Sequence, residues 1–219
     1  MSPPEGRGAA LMHAMRRVRK ELGQDYRYAH TLRVARLAAR LAWVHGEDPD
    51  KARLAGLLHD LARLFSADRL IEACTERGLP IEAFERANPI VLHARLGAEL
   101  AREAYGVDDE AVLSAIRKHT VAAAVMSRLD TIVYLADGLE PGRTFAARAG
   151  FEQLAFHDLG AAMRAVLGST IAYLRGRGLE VAPPTRAAAE TFGLDPASVS
   201  ENRLETPGVT PPPSQDAVA

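Results

Sequence analysis

The chain has 219 residues, 47% hydrophobic and 25% charged, with a formal net charge of -1. That length and balance fit one buried core with an appended segment and exclude several large domains. No global basic field points to nucleic acid or a membrane surface, and the single cysteine, Cys74, excludes an internal disulfide framework and fits a reducing compartment.

Residues 1–9 carry Pro, Glu, Arg and Gly before any apolar run, so they read as a flexible arm and not as a secretory signal. No window reaches the roughly 18–20 apolar residues of a membrane span, and the expected location is cytoplasmic. From residue 10 to 194 the periodicity is helical and no strand pattern competes. Val34, Leu37, Leu41 and Val44 step along one helix that Gly46 stops. Asp48-Pro49-Asp50 supplies a cap, a first-turn proline and an acid at the positive end of the next helix, which carries Leu54, Leu57, Leu61 and Leu64. Ser66 to Arg77 forms a short helix closed by Gly78, in which Cys74 reads as an inert, half-buried thiol.

Asn88-Pro89 repeats the cap-plus-proline signal before Leu92, Leu96 and Leu100, a helix ending at Gly106. Asp108 or Asp109 caps a helix with Val112, Leu113 and Ile116. Leu129, Ile132, Val133 and Ala136 mark another, stopped at Gly138 or at Pro141-Gly142. Met163, Leu167, Ile171 and Leu174 mark the last long one, ending near Gly178. Val181 to Pro184 is expected to be extended, because proline disfavours helix in its predecessor. Residues 195–219 are rich in Pro, Ser and Thr and poor in apolar groups, the composition of a disordered tail.

His59-Asp60 interrupts the apolar run Leu54 to Leu61, where an imidazole and a carboxylate cost several kcal/mol unless both find partners. A metal ion is the strongest such partner; a satisfied His–Asp pair or a helix-end cap is the alternative. Asp137 lies at the edge of the Leu129–Ala136 stripe, so its carboxylate meets either a cation or a cap or salt bridge. His30, His93 and His119 each stand on a helix, where a lone histidine is more often an ordinary core or surface residue. His93 is one turn before Gly97, and a mid-helix glycine, costing about 1 kcal/mol against alanine, implies a close approach on that face.

The order His30, His59-Asp60, His93, His119, Asp137 resembles the HD-domain superfamily. The phrases Arg27-Tyr28-Ala29-His30-Thr31, Ala55-Gly56-Leu57-Leu58-His59-Asp60-Leu61-Ala62-Arg63, His93-Ala94-Arg95-Leu96-Gly97 and Ala136-Asp137-Gly138-Leu139-Glu140-Pro141-Gly142-Arg143 are similar to its YqeK family of symmetrical diadenosine tetraphosphate hydrolases. The chain departs from that family at Arg63, where lysine is common. It departs again at His119-Thr120-Val121-Ala122, where the family reads His-Thr-Thr-Gly.

The resemblance implies an all-α HD-domain helical bundle with a dinuclear metal site. His30, His59, Asp60 and Asp137 would hold one ion, His93 and His119 the other, and Asp60 would bridge them. The ions implied are two transition metals, iron first, with Mn, Co or Zn compatible with the same donors. The implied reaction is hydrolysis of a dinucleoside tetraphosphate such as Ap4A to two ADP. Asp60 and Arg63 take catalytic roles, and Arg27, Arg63, Thr120 and Arg143 orient phosphates. Arg27 in a salt bridge is an equal alternative. Val181 and Thr185 would line the nucleoside pocket, and Glu140 reads as a support or cap behind the ligands. The partners implied are the dinucleotide substrate, the ADP product and, as an open assembly, a homodimer. Competing readings are an HD-domain nucleotidase or phosphodiesterase acting on mononucleotides or cyclic nucleotides, and a nucleotide sensor without turnover.

Overall fold

The computed structural model describes residues 5–199, with side chains from Ala14 onward. Every regular element among them is helical: α1 (Glu5–Leu22), α2 (Asp25–Val44), α3 (Pro49–Leu58), α4 (Ala67–Glu76), α5 (Ala83–Ala87), α6 (Leu92–Tyr105), α7 (Glu110–Lys118), α8 (Arg128–Leu139), α9 (Arg148–His157), α10 (Leu159–Gly176) and α11 (Pro183–Thr191). No helix among them is long and apolar enough to cross a membrane. The fold is the helical bundle expected from the periodicity.

Local chemistry sets most of the boundaries. Asp48 accepts hydrogen bonds from the backbone N–H groups of Asp50 and Lys51, with Pro49 in the first turn of α3. Of the two candidates ahead of α7, Asp109 is the cap, accepting from Ala111 and Val112. Ser127 and Asp130 cap α8 reciprocally in a capping box. α2, α3, α7 and α8 pack on one another around Val34, Leu41, Leu58, Ile116, Ile132 and Leu135, all essentially inaccessible to solvent. Gly56 makes the α2–α3 approach feasible, since a Cβ there would lie 2.9 Å from the Ala35 Cα. A smaller cluster under α4 and α6 contains Leu70, Leu92, Leu96 and Cys74, whose thiol burial pushes up in pKa.

Several expectations need correction. Leu61 and Leu64 do not continue the α3 stripe. The helix ends at Leu58, and i-to-i+3 bonds from Leu61 to Leu58, Arg63 to Asp60 and Phe65 to Ala62 tighten the chain into turns. Leu61 stays buried while Leu64 is turned outward. Asn88-Pro89 opens a 3₁₀ turn (Pro89–Val91) before α6, because the Asn88 amide donates back to the Phe84 carbonyl instead of capping forward. Gly138 sits inside α8, and the stop comes at Glu140 and Pro141.

Extended backbone before the proline pair ends at Ala182, since Pro183 fits the first turn of α11 and so places Thr185 on a helix. The boundary set at residue 10 falls inside α1, and residues 1–4 of the expected arm lie outside the described residues. The tail boundary at residue 195 falls ahead of a further turn. Asp195 caps Pro196–Ser198, and Val199 is buried with its carbonyl accepting from Arg175. Residues 200–219 lie outside the described residues.

Candidate metal centre

Helix ends build the centre. His30 comes from the second turn of α2, His59 and Asp60 from the end of α3, His93 from the start of α6, His119 from the end of α7, and Asp137 from the last turn of α8. All six expected ligands are buried. The expected close approach at Gly97 is made by the backbone carbonyl of His59, 3.3 Å from where a Cβ would stand. A side chain at position 97 would push the His59-Asp60 turn away from α6.

Three of the imidazoles are oriented by the same local device. Nδ1 of His59 donates to the Gly56 carbonyl at 2.8 Å, Nδ1 of His93 to Ile90 at 2.5 Å, and Nδ1 of His119 to Ile116 at 2.8 Å. His30 Nδ1 meets a Glu140 carboxylate oxygen at 3.1 Å. Carbonyl and carboxylate oxygens only accept, so each Nδ1 carries a proton and Nε2 is the nitrogen each ring turns inward. The Nε2 atoms face one another, His30 and His59 at 3.3 Å and His93 and His119 at 3.1 Å.

Asp60 lies between the two imidazole pairs. Its Oδ2 is 3.8 Å from His30 Nε2 and 3.5 Å from His59 Nε2; its Oδ1 is 3.4 Å from His93 Nε2 and 3.8 Å from His119 Nε2. Asp137 Oδ1 adds to the first pair, 3.2 Å from His30 and 3.9 Å from His59. The centre thus concentrates acceptors, with the Thr120 hydroxyl, 3.0 Å and 3.1 Å from His119 and His93, as one donor among them. Inward acceptors at such separations fit cations far better than they fit each other. The triads His30–His59–Asp60 and Asp60–His93–His119 each bring their ligand atoms within 4.8 Å of one another and share Asp60.

The pKa directions differ across the centre. Burial would lower His30, but Asp137 and Glu140 reverse this and raise it to about 9. Burial and the neighbouring His59 and His93 drive His119 down to about 3. Burial would raise both aspartates, yet His59 and His93 hold Asp60, and Arg143 and His30 hold Asp137, well below the usual carboxylate range.

The expected substrate contacts are placed unequally. Thr120, Arg143 and Thr185 line a cavity of about 340 Å³ that also reaches His119 and Asp137. Val181 is buried outside that lining, and Arg27 and Arg63 are not part of it either. Arg27 Nη1 lies 3.7 Å from Asp60 Oδ2, at the ligands themselves. Arg63 is buried in the turn after Asp60. Arg143 gives two donors to Asp137, Nη2 to the carboxylate at 2.6 Å and Nε to the carbonyl at 3.0 Å. The Thr185 hydroxyl donates to the Val121 carbonyl at 2.8 Å, tying α11 to the turn after His119.

Sequence reasoning missed the cavity's aromatic walls, Phe84, Tyr134, Phe145, Phe151 and Tyr173. Phe145 and Phe151 flank the start of α9, whose N-terminus has no side-chain cap to signal it. Tyr134 and Tyr173 sit in helices already assigned, but their face is set by which helix packs opposite.

In the turn after His119, Ala122 has φ +58°, the left-handed region that favours glycine. This is the position where the resembled family has its glycine. Removing the Cβ relieves roughly 1–2 kcal/mol of strain, part of it offset by unfolded-chain entropy. Ala122→Gly should therefore stabilise the fold by up to about 1 kcal/mol, a rise of roughly 2–4 °C in Tm. A lowered Tm by calorimetry would contradict this account of the turn.

The HD domain family profile matches residues 27–142. A symmetrical bis(5'-nucleosyl)-tetraphosphatase of Bacillus subtilis is 33% identical over 161 residues, covering 74% of this chain and 86% of that protein. The protein of the same name from Halalkalibacterium halodurans is 35% identical over 171 residues, covering 78% and 91%. A crystal structure from Clostridium acetobutylicum, described as an HD superfamily hydrolase involved in NAD metabolism, superposes with a TM-score of 0.80 at 35% identity. That match covers 83% of this chain and 96% of the other.

Proposed function

The chain belongs to the HD domain family and, within it, to the YqeK family of symmetrical bis(5'-nucleosyl)-tetraphosphatases, and from that membership we propose that it hydrolyses diadenosine tetraphosphate and related dinucleoside polyphosphates to two nucleoside diphosphates. The observation that carries the reading is Asp60, with one carboxylate oxygen turned to His30 and His59 and the other to His93 and His119. His30, His59, Asp60 and Asp137 would hold one metal ion, and Asp60, His93 and His119 a second. Iron is the ion the family points to, and the mixed nitrogen and oxygen donors suit it. When bound, such a pair supplies Lewis acidity toward a phosphoryl oxygen and toward the attacking water.

The chain's own groups do the rest. Asp60 keeps both halves of the centre in one register. Arg27 stands beside Asp60, and Arg143 and Thr120 stand where the centre meets the cavity, so their donors can orient phosphate oxygens. The apolar and aromatic cavity accepts one nucleoside, with Thr185 in its wall. In the net reaction the bond between the central bridging oxygen and one inner phosphorus breaks. The oxygen of water joins that phosphorus, and two ADP leave. The enzyme is read as cytoplasmic, in line with its single buried thiol.

Product analysis tests the proposal. Purified protein with its metal should convert diadenosine tetraphosphate to ADP alone. Release of phosphate from mononucleotides, with no ADP from the tetraphosphate, would replace this reading with a nucleotidase.

A further inference from the structure

Glu140 follows α8, three residues beyond Asp137, and is a buried carboxylate outside the ligand set. Four donors converge on it. Its Oε1 accepts from His30 Nδ1 at 3.1 Å and from Arg33 Nη2 at 3.3 Å; its Oε2 accepts from Arg33 Nε and from the Gly142 backbone N–H at 2.5 Å. Burial would raise its pKa, but these donors lower it to about 2. A carboxylate so fully partnered turns its charge onto the back of the His30 ring.

His30 needs this partner because of where it stands. The other three histidines borrow a carbonyl three residues back, at a helix end or a 3₁₀ turn. His30 sits well inside α2, where the helix uses those carbonyls; the one three residues back, at Arg27, also accepts the Thr31 hydroxyl. A side chain from another element must therefore serve. Arg33 lies one turn after His30 on the same face and grips the other side of the carboxylate. Gly142 gives that grip its space, since a Cβ there would lie 2.8 Å from the Arg33 Cζ.

We infer that the Arg33–Glu140 pair is a positioning device that fixes the tautomer and direction of His30, and so tunes one of the two metal positions and not the other. The inference rests on the two-metal reading above. An anionic acceptor behind a ligand imidazole holds its proton on the far nitrogen and makes the near one more basic. Asp60 touches both halves, whereas the ligand residue that Glu140 hydrogen-bonds is His30.

The test titrates chelated, dialysed protein with Co2+, following its visible absorption bands and the binding heat. Wild type should take up two ions. Glu140→Gln keeps shape and an acceptor but loses the charge, and should weaken one of the two affinities by roughly 10- to 100-fold. The other should stay unchanged, as should helical circular dichroism of the metal-free form. Arg33→Gln should weaken the same single position by a smaller factor, and it covers the case in which Glu140→Gln does not fold. Glu140→Asp, which keeps the charge, should recover part of the loss. Two unchanged affinities in both variants overturn the inference. So does an equal loss at both positions together with a lower metal-free Tm, the behaviour of a residue that only supports the fold. Wild type binding fewer than two Co2+ overturns the two-metal reading itself, and the inference falls with it.

Discussion

Asp60→Ala should lose both metal ions and at least about 10³-fold in kcat/KM, with helical circular dichroism retained. The carboxylate is the one side chain that faces His30 and His59 with one oxygen and His93 and His119 with the other. Removing it deprives each half of a ligand at once and leaves Arg27 without its nearby anion. Transition-state stabilisation by a metal pair is worth several kcal/mol, and each 1.36 kcal/mol is tenfold in rate, which sets the expected scale. Elemental analysis and chromatography of ADP make the two measurements. A variant with two ions and activity within tenfold of wild type would remove Asp60 from the centre.

Chelation should lower Tm by about 10 °C and give the protein a pH sensitivity that the loaded form lacks. A ligand at roughly 1,000 times its Kd stabilises a fold by about 4 kcal/mol, and each kcal/mol is worth roughly 2–4 °C at this chain length. The pH effect has a definite sign. His30 is raised from the ordinary 6.5 to about 9, so the folded chain holds a proton there that the unfolded chain releases near 6.5. The stabilisation is whole below pH 6.5 and is lost as pH rises through about 9, amounting to a few kcal/mol. Asp60 and Asp137 act oppositely: their depressed pKa values stabilise above the normal carboxylate range, and that contribution fades as pH falls below it. With a cation on Nε2, His30 cannot take up the proton, so the loaded protein should be flat from pH 6.5 to 9. Melting curves of both forms across that range measure this, and identical slopes would show that His30 does not carry the charge.

The parts of the centre legible in the sequence were those with a local cost. His59-Asp60 announces itself because two polar groups interrupt an apolar run, and Gly97 because a mid-helix glycine needs a reason. The capped boundaries at Asp48 and Asp109 follow from side chains that satisfy backbone donors within three residues. What escaped was set by distant partners or by the absence of a cap. The bond between His30 and Glu140 joins residues 110 positions apart. The breakdown of the Leu54–Leu64 stripe after Leu58 follows from turn winding around His59 and Asp60, which an apolar count does not register. Helix α5 is only five residues long, and α9 starts without a side-chain cap. The cavity needs α10, α11 and the turn after His119 together, and the periodicity of any one of them is silent about it.

The acceptors behind the four imidazoles also set an order of assembly. His59, His93 and His119 find theirs three residues earlier, so each ring is aimed as soon as its own turn winds, a local event on a fast timescale. His30 is the first of the four to leave the ribosome, and its acceptor arrives 110 residues later. The earliest ligand to be synthesised is thus the last to be oriented. Until Glu140 has emerged and α8 has docked on α2, the nascent chain can offer three aimed imidazoles and one that swings, so the half of the centre that includes His30 is completed only when most of the bundle exists.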